Sequence, residues 1–245
     1  ESQEIMVVLI VRDPKILKMK QLIQELIEKF PNIKSIQRNL NTRQDNVVLG
    51  KDFKILYGEN HITDQLDGLL FEISAASFYQ VNPTQSIQLY QKAIEYADIK
   101  KTDTVLDLYC GIGTISLFAA RIAKKVIGVE VVAEAIEDAK RNAELNQLSN
   151  LSFISGDAKD AFSQLSDKIN VVIVDPPRKG LSEETIQSIL ELSPKKLIYV
   201  SCDPGTLTRD LIKFKEGYDI KQVSCVDMFP HTYHVETVAV LIKTN

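Results

Sequence analysis

Residues Thr104–Ala120 read TVLDLYCGIGTISLFAA. The first part, TVLDLY, has the apolar texture of a strand buried on both faces. CGIG follows as a Gly-x-Gly turn, and TISLFAA continues as a helix. Gly111 and Gly113 allow the backbone to turn tightly and to approach a ligand closely. Taken alone, the turn fits an unliganded strand-to-helix connection equally well.

The neighbouring sequence gives the turn its context. Apolar runs alternate with amphipathic segments: KVIGVE, LSFISG, NVVIVD and KLIYVS follow TVLDLY, and QVSCVDMF and TVAVLI complete the series. Five short β-rich runs separated by helices imply an α/β fold, a parallel sheet covered on both faces. In such sheets ligands bind beyond the carboxyl ends of the strands. Asp107, Glu130, Asp157, Asp175 and Cys202 all fall at that edge.

Glu130 ends the second run, 23 residues after Asp107. A carboxylate there can accept hydrogen bonds from ribose hydroxyls. With Glu130 and Asp157 in register, the glycine turn reads as part of a site for an adenosine-bearing ligand. A dinucleotide site expects G-x-G-x-x-G, but Ser116 occupies the third position after Gly113. Asp107, just before the loop, would repel a pyrophosphate and suit an ammonium or a sulfonium. The charge of the site therefore favours S-adenosylmethionine over a nicotinamide dinucleotide.

Two further strand ends carry chemistry. NVVIVDPPRKGL ends on Asp175 and runs into Pro176 and Pro177, which stiffen the loop and remove two backbone donors. The loop can be a rigid connection or a wall that fixes Asp175 beside a flat substrate. In YVSCDPGTLTRD, Tyr199–Asp210, Cys202 sits where the apolar run stops and the turn begins. A free cysteine is often only a small buried hydrophobe. A helix capped by Thr206 and running through Phe214 would lower the thiol's pKa, and Asp203 would oppose that. FPHTYHVETVAVL brings His231, His234 and Glu236 to the start of the last run. The two histidines lack an evident third metal ligand. Glu236 is either solvated or aimed at the cleft, where a base would face Cys202.

Residues 1–76 have a different texture, that of a small α+β domain, and residues 77–245 form the catalytic domain. The first part reads strand (EIMVVLIV), helix (Pro14–Phe30, with Pro14 in its first turn), strand (IKSIQRNL) and short strands around NVVL, FKILYG and LLFEISA. The chain has 245 residues, 44% apolar and 25% charged, enough to bury a sizeable core. A net charge of -4 argues against a basic, sequence-independent nucleic-acid binder, though not against a local basic patch. No apolar run approaches the roughly 18 residues of a membrane span. Three cysteines without close pairs suggest neither a disulfide framework nor a zinc site, and favour reduced thiols in the cytoplasm. The count also falls short of the four thiolates usual for an iron–sulfur cluster. The opening, without a secretory signal or an initiator Met, suggests a fragment of a longer protein.

SFYQVNP, LDLYCGIGTISL, DPPRKGL, SCDPGTLTRDL and HTYHVETVAVL together resemble the RNA uracil-5-methyltransferases. The resemblance covers about Phe78 to the end, with NVVLG as a piece of that family's central domain. It implies a Rossmann-like, seven-stranded S-adenosylmethionine methyltransferase sheet preceded by the small α+β domain. It assigns Cys202 as the nucleophile and Glu236 as the base that removes the C5 proton. It maps the cofactor to Gln80, Tyr109, Glu130 and Asp175, with Thr114 and Asp157 as additional positions beside Asp107, Gly111 and Gly113. Members often carry Asn in place of Asp203. Asp175 could contact either the cofactor or the uracil edge, and Arg178 and Arg209 are the candidates for RNA phosphate. Overall resemblance favours ribosomal over transfer RNA as the partner, for a monomeric enzyme needing no metal. Two rival readings stay open: an amino-group methyltransferase, which would not need Cys202, and a non-catalytic cofactor-binding RNA adaptor.

Overall fold

The computed structural model describes residues 2–45 and 47–244, apart from the side chain of Lys159. Strand β1 (Ile5–Val11) leads into helix α1 (Met19–Lys29) and strand β2 (Ile33–Leu40), which pairs parallel to β1. Strand β3 (Asp52–Gly58) returns antiparallel on β2, giving a three-stranded sheet ordered β1-β2-β3. Strands β4 (His61–Leu66) and β5 (Leu69–Ser74) form a separate hairpin. Its turn, Asp67-Gly68, has φ of 51° and 79°. Both positive angles give the primed turn whose twist matches a hairpin, and Asp-Gly is a preferred pair for it.

Two expectations for this region need correction, and one strand was not expected. The helix starts at Met19 rather than Pro14, because Lys18 adopts a left-handed φ of 55° that interrupts any earlier turn. No strand forms at Val47–Gly50. Its backbone is bonded by side chains instead: Asn41 Nδ2 donates to the carbonyls of Val47 and Val48, both at 2.8 Å. Asn39 bonds both the carbonyl and the N–H of Gly50, at 2.9 and 2.7 Å. Asn46 of the NVVLG stretch lies outside the described residues. Strand β4, HITDQL, is too polar to announce itself as a strand, and only its pairing with β5 defines it.

The second unit, Phe78–Asn245, is larger than the first, Glu1–Ser77. Its elements in chain order begin with α2 (Pro83–Ala97), β6 (Thr104–Leu108), α3 (Thr114–Ala120), β7 (Lys125–Glu130) and α4 (Ala133–Leu145). Then come β8 (Leu151–Ser155), α5 (Ala158–Ala161), β9 (Val171–Val174), α6 (Glu183–Leu192) and β10 (Lys196–Ser201). Helix α7 (Pro204–Phe214), β11 (Tyr218–Val226) and β12 (Glu236–Lys243) complete it.

These seven strands form one sheet ordered β11-β12-β10-β9-β6-β7-β8. Six run in one direction, and β12 alone enters antiparallel, between β10 and β11. The chain runs outward from β6 to β8 and then crosses back to β9 on the other side of β6. The crevice above β6 and β9 is therefore the topological switch point, where open α/β sheets bind ligands.

Helices α2, α3 and α4 pack on one face, and α5, α6 and α7 on the other. Alternation serves both layers. Leu106, Leu108, Val172, Val174, Leu197 and Tyr199 point into a core with Leu207 and Phe214 of α7. Val105 and Asp107 fall on the opposite face, where Asp107 meets Ser116 of α3. Among the described residues no helix is long and apolar enough to cross a membrane.

Candidate active site at the strand carboxyl ends

The turn after β6 is built under backbone constraint. Tyr109 has φ of 65°, Gly111 54° and Gly113 85°. A left-handed tyrosine is uncommon, and such strain persists only where the surroundings enforce it. The Cys110 N–H donates to the Val129 carbonyl at 3.0 Å, tying the turn to β7. Asn142 of α4 donates to the Ile112 carbonyl at 3.1 Å. An added Cβ at Gly111 would meet nothing within 4 Å, so that backbone faces open space. Its N–H donates to Glu130 Oε2 at 3.2 Å, while Glu130 Oε1 accepts from the Val132 N–H at 2.9 Å. Each carboxylate oxygen keeps a lone pair for another donor.

A cleft opens over this turn, lined among others by Gln80, Tyr90, Asp107, Tyr109, Thr114 and Asp175. Two of its buried acceptors, Gln80 Oε1 and Asp107 Oδ1, have no hydrogen-bond partner. Buried polar atoms are rarely left unpaired, so these two point to a ligand that donates hydrogen bonds. Asp107 is fully buried, and its Oδ2 accepts from the Ser116 hydroxyl at 2.6 Å. Burial pushes its carboxyl up to about 7, with Ser116 pulling down and Glu130 adding to the rise. Asp157 caps the short α5 through its carbonyl and is exposed, one strand end further along. A wider hollow of about 860 Å³ lies against α4 and β8, lined by Lys140, Glu144, Gln147 and Phe153 among others. It sits away from the strand carboxyl ends, so the smaller cleft is the one with the chemistry.

The other half of the site comes from β9, β10 and β12. Asp175 directly follows β9, and its N–H donates to the Leu108 carbonyl at 3.4 Å. Burial pushes Asp175 up to about 7, reinforced by Glu236 and Asp107. Ser201 of β10 pairs with Thr237 of β12. The next positions on the two antiparallel chains are Cys202 and Glu236, so the register brings thiol and carboxyl together. Glu236 is only 3% exposed, and burial raises its pKa against the pull of the Arg178 guanidinium.

The expected cap of α7 is corrected: Asp203, not Thr206, caps it, accepting from the Thr206 N–H at 2.8 Å. Asp203 is thus occupied at the helix end. Cys202 is half-buried, and its pKa is raised rather than lowered: burial comes first, then the Glu236 and Asp175 carboxylates, with Arg178 opposing. Burial and the two carboxylates together outweigh the guanidinium. Hence alkylation of Cys202 by iodoacetamide, in a Cys225→Ser background, should reach half-maximal rate above the ordinary thiol range. Glu236→Gln should move that midpoint down by about one pH unit, and Arg178→Ala should move it up. A midpoint indifferent to both substitutions would refute this electrostatic account.

Arg178 is exposed, and one of its terminal nitrogens lies 3.4 Å from His234 Nε2. Arg209 is engaged elsewhere. It bonds Asp210 Oδ1 through Nε and Nη2 at 2.8 and 2.7 Å, and donates to the Lys179 carbonyl at 2.8 Å. Asp210 Oδ2 accepts from the Tyr199 hydroxyl at 2.7 Å and from the Leu181 N–H at 2.8 Å. The two ends of YVSCDPGTLTRD are therefore bonded to each other, and together they hold the loop that follows Asp175.

Sequence reasoning missed Asp210 and Tyr90. It also gave no role to Asn82, whose side chain caps α2 and donates to the Met228 carbonyl at 3.2 Å. Asp210 carried a signal, since it stands at helical spacing with the buried Leu207 and Phe214. Tyr90 carried none beyond that of a core residue.

Comparison with known proteins identifies the arrangement. The profile described as tRNA (uracil-5-)-methyltransferase matches residues 2–244. An uncharacterized RNA methyltransferase of Oceanobacillus iheyensis is 49% identical over 244 residues, covering 98% of this chain and 53% of the relative. One of Halalkalibacterium halodurans is also 49% identical, covering 99% of this chain and 54% of the relative. The chain thus spans about half the length of the curated relatives it matches. Among solved structures, the Pyrococcus abyssi tRNA (uracil-54, C5)-methyltransferase in complex with S-adenosyl-L-homocysteine superposes with a TM-score of 0.79. It is 30% identical, covering 98% of this chain and 56% of that one. With its profile match spanning both units and relatives at nearly half identity, the chain belongs to the tRNA (uracil-5-)-methyltransferase family.

Proposed function

We propose that this protein methylates C5 of a uridine in RNA using S-adenosylmethionine, with Cys202 as nucleophile and Glu236 as base. The observation that supports the reading is the β10–β12 register: Ser201 pairs with Thr237, and Cys202 and Glu236 are the next residues on the two chains. The residues there fit the cofactor. Gln80 Oε1 and Asp107 Oδ1 are unpaired acceptors suited to ammonium or amide donors, and Glu130 has lone pairs for ribose hydroxyls. Gly111 leaves the room a close approach needs. When bound, S-adenosylmethionine supplies an electrophilic methyl group.

The chain's own residues make C5 able to accept that group. Uracil C5 is a poor nucleophile. The Cys202 thiolate adds to C6, forming an S–C6 bond and moving the C5–C6 π pair toward C5 and O4. After C5 has gained the methyl group, the Glu236 carboxylate takes the C5 proton. The freed pair restores the C5–C6 double bond and expels the thiolate, so the enzyme emerges unchanged apart from a proton on Glu236. This is covalent catalysis that divides one difficult step into easier ones. The raised pKa of Glu236 makes it a stronger base once ionised. Asp175, beside both groups and readily protonated near neutrality, can donate to a uracil carbonyl or accept from its N3–H. The target base must leave its stack to enter such a cleft.

RNA carrying 5-fluorouridine at the target should become covalently attached in the presence of S-adenosylmethionine, because fluorine at C5 cannot leave as a proton. Glu236→Gln should methylate ordinary uridine once and then release it slowly, accumulating a covalent complex visible on a denaturing gel. Normal turnover by that variant would remove Glu236 from the reaction. Ribosomal RNA is the substrate proposed from the motif resemblance. Transfer RNA is the second reading, since it is the RNA named for the family and for the Pyrococcus abyssi neighbour. Mapping 5-methyluridine in both RNAs from cells lacking the gene decides between them.

A further inference from the structure

The segment between β11 and β12, residues 227–235, is a built platform rather than a slack connection. Met228 is buried at its root, where its carbonyl accepts from Asn82 at 3.2 Å. A turn follows: the N–H and hydroxyl of Thr232 donate to the Phe229 carbonyl at 3.1 and 2.8 Å, and His231 takes a left-handed φ of 67°. The His234 N–H donates to the Thr232 hydroxyl at 3.2 Å. These bonds hold Tyr233 outward at 89% exposure, among the most exposed large side chains on the protein. Its ring leans on that of His234, centroids 4.2 Å apart and tilted by 41°, while Phe229 meets His234 edge-on at 6.1 Å.

Arg178 completes the platform. An arginine only donates, so its approach to His234 Nε2 at 3.4 Å makes that nitrogen the acceptor. Arg178 stands three residues after Asp175 and His234 two before Glu236, the first residue of β12, which puts the platform next to those strand ends. The result is an open aromatic face with a cation beside it, at the lip of the cleft. A base and its phosphate match that pair: rings stack on tyrosine without regard to sequence, and the phosphate takes the guanidinium. An apolar protein surface would gain nothing from the cation.

We propose that Tyr233, backed by His234 and flanked by Arg178, is a stacking shelf for the nucleobase next to the target uridine. The shelf rests on the RNA-methylation reading and refines it. It holds the RNA strand while the target base turns into the cleft, so that the unstacking of one neighbour is compensated by stacking on protein.

The test uses the full protein and single-stranded RNA trapped through 5-fluorouridine, which fixes the register. One RNA carries the fluorescent base 2-aminopurine on the 5′ side of the target, and another carries it on the 3′ side. In one of the two, fluorescence should be quenched on trapping. Tyr233→Ala should restore it and weaken reversible RNA binding about tenfold, with S-adenosylhomocysteine affinity unchanged. Tyr233→Phe and Tyr233→Trp should keep the quenching. Tyr233 is exposed, so none of these changes threatens the fold. Trapping that proceeds with quenching identical in Tyr233→Ala, or absent from both RNAs, overturns the shelf alone. Failure of the unaltered protein to trap either RNA overturns the methylation reading and the shelf with it.

Discussion

Cys202→Ala should lower methyl transfer on the order of 10⁴-fold or more and abolish covalent trapping of 5-fluorouridine RNA. No other thiol can substitute. Cys110 is buried under the β6–α3 turn, with its sulfur only 2.9 Å from where a Cβ on Gly128 would sit. Cys225 is exposed on β11, the margin strand, and β12 lies between it and β10. Binding of S-adenosylhomocysteine should survive, because Cys202 is not among the residues lining the cleft around Asp107 and Gln80. That separation makes the experiment specific. Retained cofactor affinity with lost transfer identifies a chemical role, whereas loss of both identifies a folding defect. Trapping that persists in the alanine variant would eliminate the nucleophile.

Asp210→Ala should be the most destabilising single change at the site, costing about 3–5 kcal/mol. Asp210 has no exposed surface and serves three donors on three segments: Tyr199 of β10, the Leu181 backbone, and Arg209 beside it. Removing it strands the Tyr199 hydroxyl and the Leu181 N–H in the core and releases Arg209 from the Lys179 carbonyl. Asp210→Asn keeps an acceptor oxygen and should lose roughly half as much. Urea unfolding measures both, and an alanine variant with an unchanged midpoint would sink this account. Activity should fall with stability, since the loop set free begins at Asp175.

Much of this was legible in the residues. The alternation of apolar runs with amphipathic segments from Thr104 onward specified the sheet, because strands buried on both faces must be apolar throughout. The acids and the thiol at the strand ends were visible for the same reason: a polar residue that closes a buried run stands out. What sequence could not supply was pairing across distance. That Glu236 falls opposite Cys202 depends on β12 entering antiparallel beside β10, and no local pattern encodes that neighbour. The direction of the Cys202 pKa was left open by the sequence, where the helix end and Asp203 oppose each other. The adjacent Asp203 was visible and turned out to cap the helix, while burial raises the thiol's pKa most, and Glu236 and Asp175, distant in sequence, add to it. In the first unit, asparagine side chains took over the backbone of Val47–Gly50, which composition alone presents as a strand.

The placement of β12 also ties the margin of the sheet to the site. Strand β11 lies at the margin of the large sheet and touches it only through β12, which follows it in the chain. The two can form a hairpin by themselves, but until β12 docks beside β10 the inner edge of β12 is an unsatisfied ribbon. Closure of that margin and delivery of the Glu236 carboxyl are therefore one event. A molecule arrested just before it would hold the β6 turn and the Cys202 thiol without the carboxyl beside it, and would be prone to self-association.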